Sequence, residues 1–399
     1  MSQSTRAGRY VRQPTGYRAF IPAPLPPDPP VDLGGAGRTL LSRADLAIGR
    51  LDGVGLMLPS ADLFLAMYVR REAVASSQIE GTRSTLDDVL VFELDPRTRD
   101  VPADVEEVVH YIRAMNYGLD RLATLPLSLR LIREIHAELM RGGHGVGKTP
   151  GEFRTSQNWM GPANTPLNRA TFVPPPASEL LPALDNFERF LHQGANLPAL
   201  ILCGLAHAQF ETIHPFLDGN GRVGRLLIAL LLVHRGVLHR PLLYVSHFLR
   251  IHRAEYYERL TAVHDEGNWE GWLRFFLRGV AETAEKATAT ARAIVALRER
   301  HRQLLLDHGF GHNELRFLDM LLHRPLVNVK RVQDELDVVD MTASRLIDRL
   351  AGLDLLEEIT GRRRNRIFRY TLYWQLFQDP APPEDEVAPI QSTEFGAEL

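Results

Sequence analysis

From Arg38 to about residue 300, apolar residues recur at spacings of three and four. That is the period of a helix; a half-buried strand alternates by two. LLSRADLAIGRL and DLFLAMYVRREAVASSQIEG show the period early, and LPALILCGLAHA and LLIALLLV carry it through the middle. A chain patterned in this way folds as a helical bundle, so the expected class is mainly α. Two places interrupt the pattern. Residues 142–178 are loop-rich, and there NWM and ATFV flank a turn of Pro, Asn and Gly that predicts a short β-hairpin. HPFLDGNGRVGR, residues 214–225, is a polar joint between two apolar helical segments.

The ends read differently. Residues 1–36 are rich in Pro and Gly and predict an extended arm. N-terminal helices are expected over 37–140 and a core over 141–295. From about 311, NELRFLDMLLHR, VNVKRVQDELDV and TASRLIDRLAGLDLLEEIT are three short helical patterns, and GRRRNRIFRY follows as a strand-like piece after a basic turn. That order predicts a winged helix-turn-helix over 300–378, followed by an acidic, disordered tail over 379–399. Arg362, Arg363, Arg364, Arg366 and Arg369 of the wing suit DNA phosphates. Yet residues 330–370 hold nine Lys/Arg against eight Asp/Glu, among them Asp348 and Asp354. DNA binding and a protein-docking or dimerising role therefore stand level for this module.

Bulk properties exclude more than they assign. A net charge of -3 gives no global attraction to nucleic acid or membrane. A single cysteine, Cys203, excludes an internal disulfide and a multi-cysteine zinc site, and its apolar helical setting reads as a small buried hydrophobe. The first twenty residues lack the apolar core of a signal peptide, and no later run is long enough to span a bilayer, so a cytoplasmic protein is expected. GGHGVGKT, residues 142–149, matches a phosphate-loop pattern. An amphipathic helix precedes it where a strand is needed, and PGEFRTSQN follows where a helix is needed. It reads as a surface loop with Gly142 as helix cap.

The joint at 214–225 has the chemistry of a polyphosphate site. GNG opens a helix, whose unpaired N–H groups and positive end attract anions. Gly219 and Gly221, with Asn220 between, let a phosphate approach the backbone. Arg222 and Arg225 fall in the first helical turn, where a cation opposes the helix dipole by about 0.3–1 kcal/mol. A strongly anionic ligand resolves that conflict. Asp218 is placed as a Mg²⁺ ligand beside the phosphates, and His214 as a general base. Pro215 stops the preceding helix, and Phe216 and Leu217 anchor the loop.

HPFLDGNGRVGR also fits, at every fixed position, the Fic family signature H-x-F-x-[DE]-G-N-G-R-x-x-R. AHAQFETI before it, GEFR at 151–154 and the hairpin ending in PPP at 174–176 are similar to that family as well. The resemblance implies a helical bundle with a β-hairpin flap, and transfer of AMP from ATP to a protein hydroxyl. It implies that His214 deprotonates a Ser, Thr or Tyr of a target protein, or of the chain itself, and that Asp218 holds Mg²⁺. Gly219, Asn220, Gly221, Arg222, Gly224 and Arg225 would bind the nucleotide, with Tyr256 and Tyr257 near the adenine. Thr171, Phe172 and Val173 of the flap would hold the target by strand addition. The motif does not name the nucleotide. Transfer of another group, removal of AMP by the same site, and a winged-helix regulator that only senses nucleotide are the alternatives.

SSQIEG at 76–81 adds a brake. Ser76 and Glu80 share a helical face, and Gly81 ends the helix, which leaves Glu80 at a negative helix end. The segment resembles the family's inhibitory pattern [ST]-x-x-x-E-[GN]. The resemblance implies that Glu80 pairs with Arg225 within the same chain and blocks the productive pose of ATP.

Overall fold

A computed structural model of the chain describes residues 4–57, 61–98, 100–142, 147–161, 165–193 and 196–378. The phosphate-loop decoy lies partly outside the described residues, and the tail from 379 wholly so. No helix among them is long and apolar enough to cross a membrane. The helical period becomes α1 (Gly34–Met57), α2 (Ala61–Ile79), α3 (Leu86–Leu94), α4 (Val105–Leu122) and α5 (Leu129–Leu139). After the flap region come α6 (Ala177–Gln193), α7 (Ala199–Ile213), α8 (Asn220–His234), α9 (Ser246–Ile251), α10 (Arg253–Glu266) and α11 (Trp269–Asp307). Local chemistry sets several starts. Thr85 and Asp88 form a reciprocal capping box on α3, and Asn268 Oδ1 accepts from the Gly271 amide at 2.9 Å on α11.

α7 and α8 pack on each other at the centre, and α7 is buried all round. A helix apolar on every face belongs inside a core. The joint between them is therefore held by the interior of the protein. Cys203 is buried on α7, and burial pushes its thiol pKa well up, as expected for a packing residue.

The first residues form more than an arm. β1 (Ser4–Thr5), β2 (Gly8–Arg12) and β3 (Arg18–Pro22) make an antiparallel sheet in which Tyr10 faces Phe20. Phe20 is buried against Tyr10, Phe172 and His264. The prolines dominated the sequence pattern, but apolar residues in YVR and RAFIP supply a buried face.

The expected boundary at 295–300 falls inside α11. Ala284, Ala287, Ala291, Ile294, Leu297, His301 and Leu305 continue one buried stripe through it, so the helix has no reason to end. Its 39 residues span about 58 Å and carry the C-terminal elements. These are α12 (His312–His323), β4 (Leu326–Val327), α13 (Val329–Leu336), α14 (Asp340–Ala351), β5 (Glu357–Glu358), β6 (Phe368–Arg369) and α15 (Thr371–Gln375), with strand order β4-β6-β5. They dock back on the N-terminal helices. Trp374 donates to Asp87 at 2.6 Å, Arg331 donates to the Glu93 carbonyl at 2.8 Å, and Phe377 meets Tyr68 of α2 edge-on.

Candidate active site

His214 ends α7 in a left-handed conformation, φ 48°, which turns the chain sharply out of the helix. Buried Arg154 secures this turn. Its guanidinium donates to the carbonyls of His214 at 2.9 Å and Ile213 at 3.3 Å, orphan acceptors of the helix end, and ties them to the Pro175 carbonyl at 2.6 Å. Asn158 donates to the His214 carbonyl at 3.3 Å and to the Phe216 carbonyl at 2.8 Å. The loop is then clamped from below. Phe216 is stacked on His136 at 3.7 Å, and His136 links the Gly151 amide at 2.8 Å to the Asp218 carbonyl at 3.0 Å.

His214 itself is buried, and burial followed by the charge of Arg154 lowers its pKa to about 4. Its Nδ1 faces the Glu211 carbonyl at 3.3 Å. An N–H there leaves the lone pair on Nε2, the tautomer a general base requires.

Gly219, at φ 76°, caps α8. Asn220 is spent on the loop: its side chain accepts from the Phe216 amide and donates to the Phe216 carbonyl, both at 2.8 Å. Only its backbone is placed to serve a ligand. Arg222 also differs from expectation. It points to Glu107 of α4 at 2.9 Å, with Asp218 at 3.5 Å. Asp218 accepts from the Gly219 amide through Oδ1 at 2.5 Å and is half-buried. One carboxylate beside a phosphate site fits Mg²⁺, which completes its shell with phosphate and water oxygens. Among the described residues no group of three or more His, Cys, Asp or Glu side chains is placed to hold a metal ion.

Ser76 and Glu80 meet the joint. Arg225 is almost wholly buried and donates through Nε to Ser76 Oγ at 2.8 Å, and through Nη2 to the Ser76 carbonyl at 3.0 Å and to Glu80 Oε1 at 2.6 Å. Burial opposes its charge, but Glu80, with smaller help from Tyr256 and Glu211, holds its pKa above the ordinary value. Glu80 lies in the turn just past α2, before Gly81. Its Oε1 sits so close over Gly221 that any side chain there would collide with it. The carboxylate thus occupies the helix N-terminus where an anionic ligand belongs. Glu80, His214, Asp218 and residues 219–222 enclose only about 10 Å³, room for about one water.

Glu211 was not singled out from the sequence. It is buried beneath Gly224, its Oε1 has no partner among the described residues, and burial raises its pKa to about 7. Tyr256 is buried rather than lining an open pocket. Its hydroxyl meets His207 Nε2 at 2.9 Å, and His207 Nδ1 meets the Gly224 carbonyl at 2.9 Å. Tyr257 is the exposed member of the pair, with Arg253 over its ring.

The described residues on either side of the flap tip pair antiparallel, as the expected hairpin requires. One bridge pairs Met160 with Phe172, and 162–164 lie outside the described residues. Thr171 is exposed, but Phe172 and Val173 are buried, and the Val173 carbonyl accepts from the Phe20 amide of β3 at 2.8 Å. The chain's own N-terminal sheet holds that position.

Residues 126–232 match the Fic/DOC family model, and residues 38–120 match the Fic/DOC family N-terminal model. The chain carries a Fic/DOC family domain. Protein adenylyltransferase Fic of Drosophila grimshawi is 31% identical over 183 residues, covering 45% of this chain and 33% of that protein. The Drosophila virilis protein of the same name is likewise 31% identical over 183 residues, with the same coverage. The chain thus spans about a third of the length of these curated relatives. A Fic family protein from Desulfovibrio desulfuricans superposes with TM-score 0.55 at 20% identity, over 86% of this chain and 98% of that one. The Fic fold is therefore shared over most of the chain.

Proposed function

We propose that this Fic domain transfers AMP from ATP to a hydroxyl of a protein and is held off by Glu80. The observation that carries the reading is Glu80 on Gly221 and Arg225, a carboxylate seated in an anion site that the helix end and a buried arginine create. With Glu80 withdrawn, the amides of residues 220 and 221 and the Arg225 fork face the triphosphate. His214 Nε2 takes the proton of a Ser, Thr or Tyr hydroxyl. The oxygen bonds to the α-phosphorus as the bond to the bridging oxygen breaks, and pyrophosphate leaves. Mg²⁺, held by Asp218 and the nucleotide, would neutralise phosphate charge. The names of the curated relatives support this chemistry. Intact-mass analysis of the Glu80→Gly protein incubated with each nucleoside triphosphate tests it. One AMP added from ATP, and none in Glu80→Gly/His214→Ala, is expected. Addition of a different nucleotide, or none, overturns it.

We also propose that 300–378 is a winged helix-turn-helix, supported by the strand order β4-β6-β5 around α12–α14. Arg362 is engaged with Asp100 at 2.7 Å, Arg369 with Glu357 at 2.9 Å, and Arg349 with Glu314. Of these, only the Arg362–Asp100 pair joins the module to the rest of the chain, and it favours docking on the chain's own body over a DNA footprint. A mobility shift of the full chain at low salt, expected to show no retained DNA, checks this.

A further inference from the structure

Two carboxylates lie on one face of α8, a turn apart. Glu80 Oε1 sits over Gly221 and Glu211 Oε1 over Gly224, each so close that a side chain on the glycine would strike it. Residues three apart share a helical face, and Arg225 Nη1 reaches the same spot over Gly221 as Glu80. The two acids differ in what they meet. Glu80 accepts from Arg225 Nη2 at 2.6 Å. Glu211 is 8% exposed, and its Oε1 accepts no hydrogen bond among the described residues, although buried polar atoms are normally paired. Glu72, a third acid whose charge interacts with Arg225, is satisfied by Ser246 and Tyr111. The two acids also differ in their setting. Glu211 stands within α7, which is buried all round, whereas Glu80 lies in the turn beyond α2.

Burial most opposes the ionised form of Glu211, Arg225 favours it and Glu80 opposes it. Tyr256 and Tyr257 of α10 also interact with Glu211 and are held above their ordinary values, while His207 and His214 of α7 are held to about 4. These four are therefore neutral from pH 6 to 8. We propose that Glu211 is the reserve counter-ion of Arg225, and that it carries a proton whenever an outside anion, Glu80 or a nucleotide phosphate, pairs with that arginine. When the anion leaves, the Glu211 proton passes to water and its carboxylate balances the guanidinium, which would otherwise stay buried and unpaired. When an anion returns, Glu211 takes one proton back. Glu211 thus acts through Arg225, as a positioning residue. This rests on the reading of the joint as an anion site and not on AMP transfer.

The test uses the full chain carrying Glu80→Gly/His214→Ala, in which the site is open and no transfer is expected, with ATP and Mg²⁺. Its affinity for ATP, measured by calorimetry, falls between pH 6 and pH 8 on the order of fivefold more than that of the same protein with Glu211→Gln. Protonation of ATP itself is common to both proteins and cancels. The Gln protein therefore binds ATP more tightly at pH 8, the reverse of what losing a merely structural carboxyl does. Equal pH dependence, or weaker binding by Glu211→Gln at pH 8, overturns the proposal. Infrared spectroscopy gives a second readout, because ATP has no carboxyl group. At pH 6.5, ATP raises a protonated-carboxyl band that is missing in Glu211→Gln and in Glu211→Met, a neutral variant of similar length. No band, or one that survives both substitutions, overturns it. If the open protein binds no ATP at any pH, the anion-site reading of the nucleotide fails, and the wild type decides through its own Glu80. The Glu211 band is then present at pH 6.5 in the wild type and weaker in Glu80→Gly; equal bands overturn the proposal.

Discussion

Arg225 is the residue on which the site turns. Its guanidinium is 1% exposed and is shared between Ser76 and Glu80. Removing one partner of a buried charge pair costs about 3 kcal/mol, because the other charge stays buried. Glu80→Gly is therefore expected to lower the melting temperature while raising self-modification, and ATP with Mg²⁺ should restore part of the loss by supplying a replacement anion. Differential scanning fluorimetry with and without nucleotide, beside a labelled-ATP assay, checks both signs. A more stable Glu80→Gly protein, or one no more active than wild type, would contradict the assignment. The base makes a separate prediction. Burial holds His214 at about 4, so its neutral form is present across pH 5 to 8. The acid limb of kcat/KM for the released enzyme should then lie below pH 5, and a limb near 6.5 would show a different environment for the base. Reading the joint as a base, a metal carboxylate and an anion nest needed only twelve contiguous residues. The partners of Arg222 and the burial of Tyr256 did not follow from them, because Glu107 and His207 reach these residues from elsewhere in the chain.

Among the elements, the N-terminal sheet changes the picture of the flap most. β3 sits beside the flap, with Phe20 buried on Phe172 and its amide on the Val173 carbonyl. Phe20→Ala should cost on the order of 3 kcal/mol by emptying that contact. It should also loosen the flap, seen as faster hydrogen exchange over 159–173, with exchange in α7 and α8 little changed. Uniform acceleration everywhere would mean that the sheet supports the whole fold instead. The sequence offered a weak signal for this sheet in YVR and RAFIP around the QPTG turn. Five-residue strands cannot be told from a loop until something covers their apolar face. α11 shows the converse. Its stripe runs without interruption past 300, and a boundary placed at the change of rhythm after it missed that the helix serves both halves.

At the scale of the whole molecule, several buried histidines make the fold sensitive to acid. His136, His207 and His214 are held to about 4 and His264 to about 3, each chiefly by burial. Unfolded, they take up protons near 6.5. The unfolded state therefore binds more protons between about pH 4 and 6.5, and stability falls as pH drops through that window. Glu211, raised to about 7, and Glu72, also raised, act in the opposite sense, but four groups outweigh two. The melting temperature should be lower at pH 5 than at pH 7, and His264→Gln should flatten the dependence. Higher stability at pH 5 would show that the carboxyls dominate.

The sequence by itself determined the helical class and the place of the joint, and it singled out Ser76 and Glu80, the two residues that meet Arg225. Each rests on local physics: a period of 3.6 residues, a glycine turn opening a helix, a carboxylate four residues from a serine. Only the tertiary structure decided what each charge meets. Glu80 lies over Gly221, Arg222 turns to Glu107, and Arg362 and Arg369 of the wing turn to Asp100 and Glu357. Backbone conformation is set within a few residues, whereas the partner of a buried charge depends on the path of the whole chain.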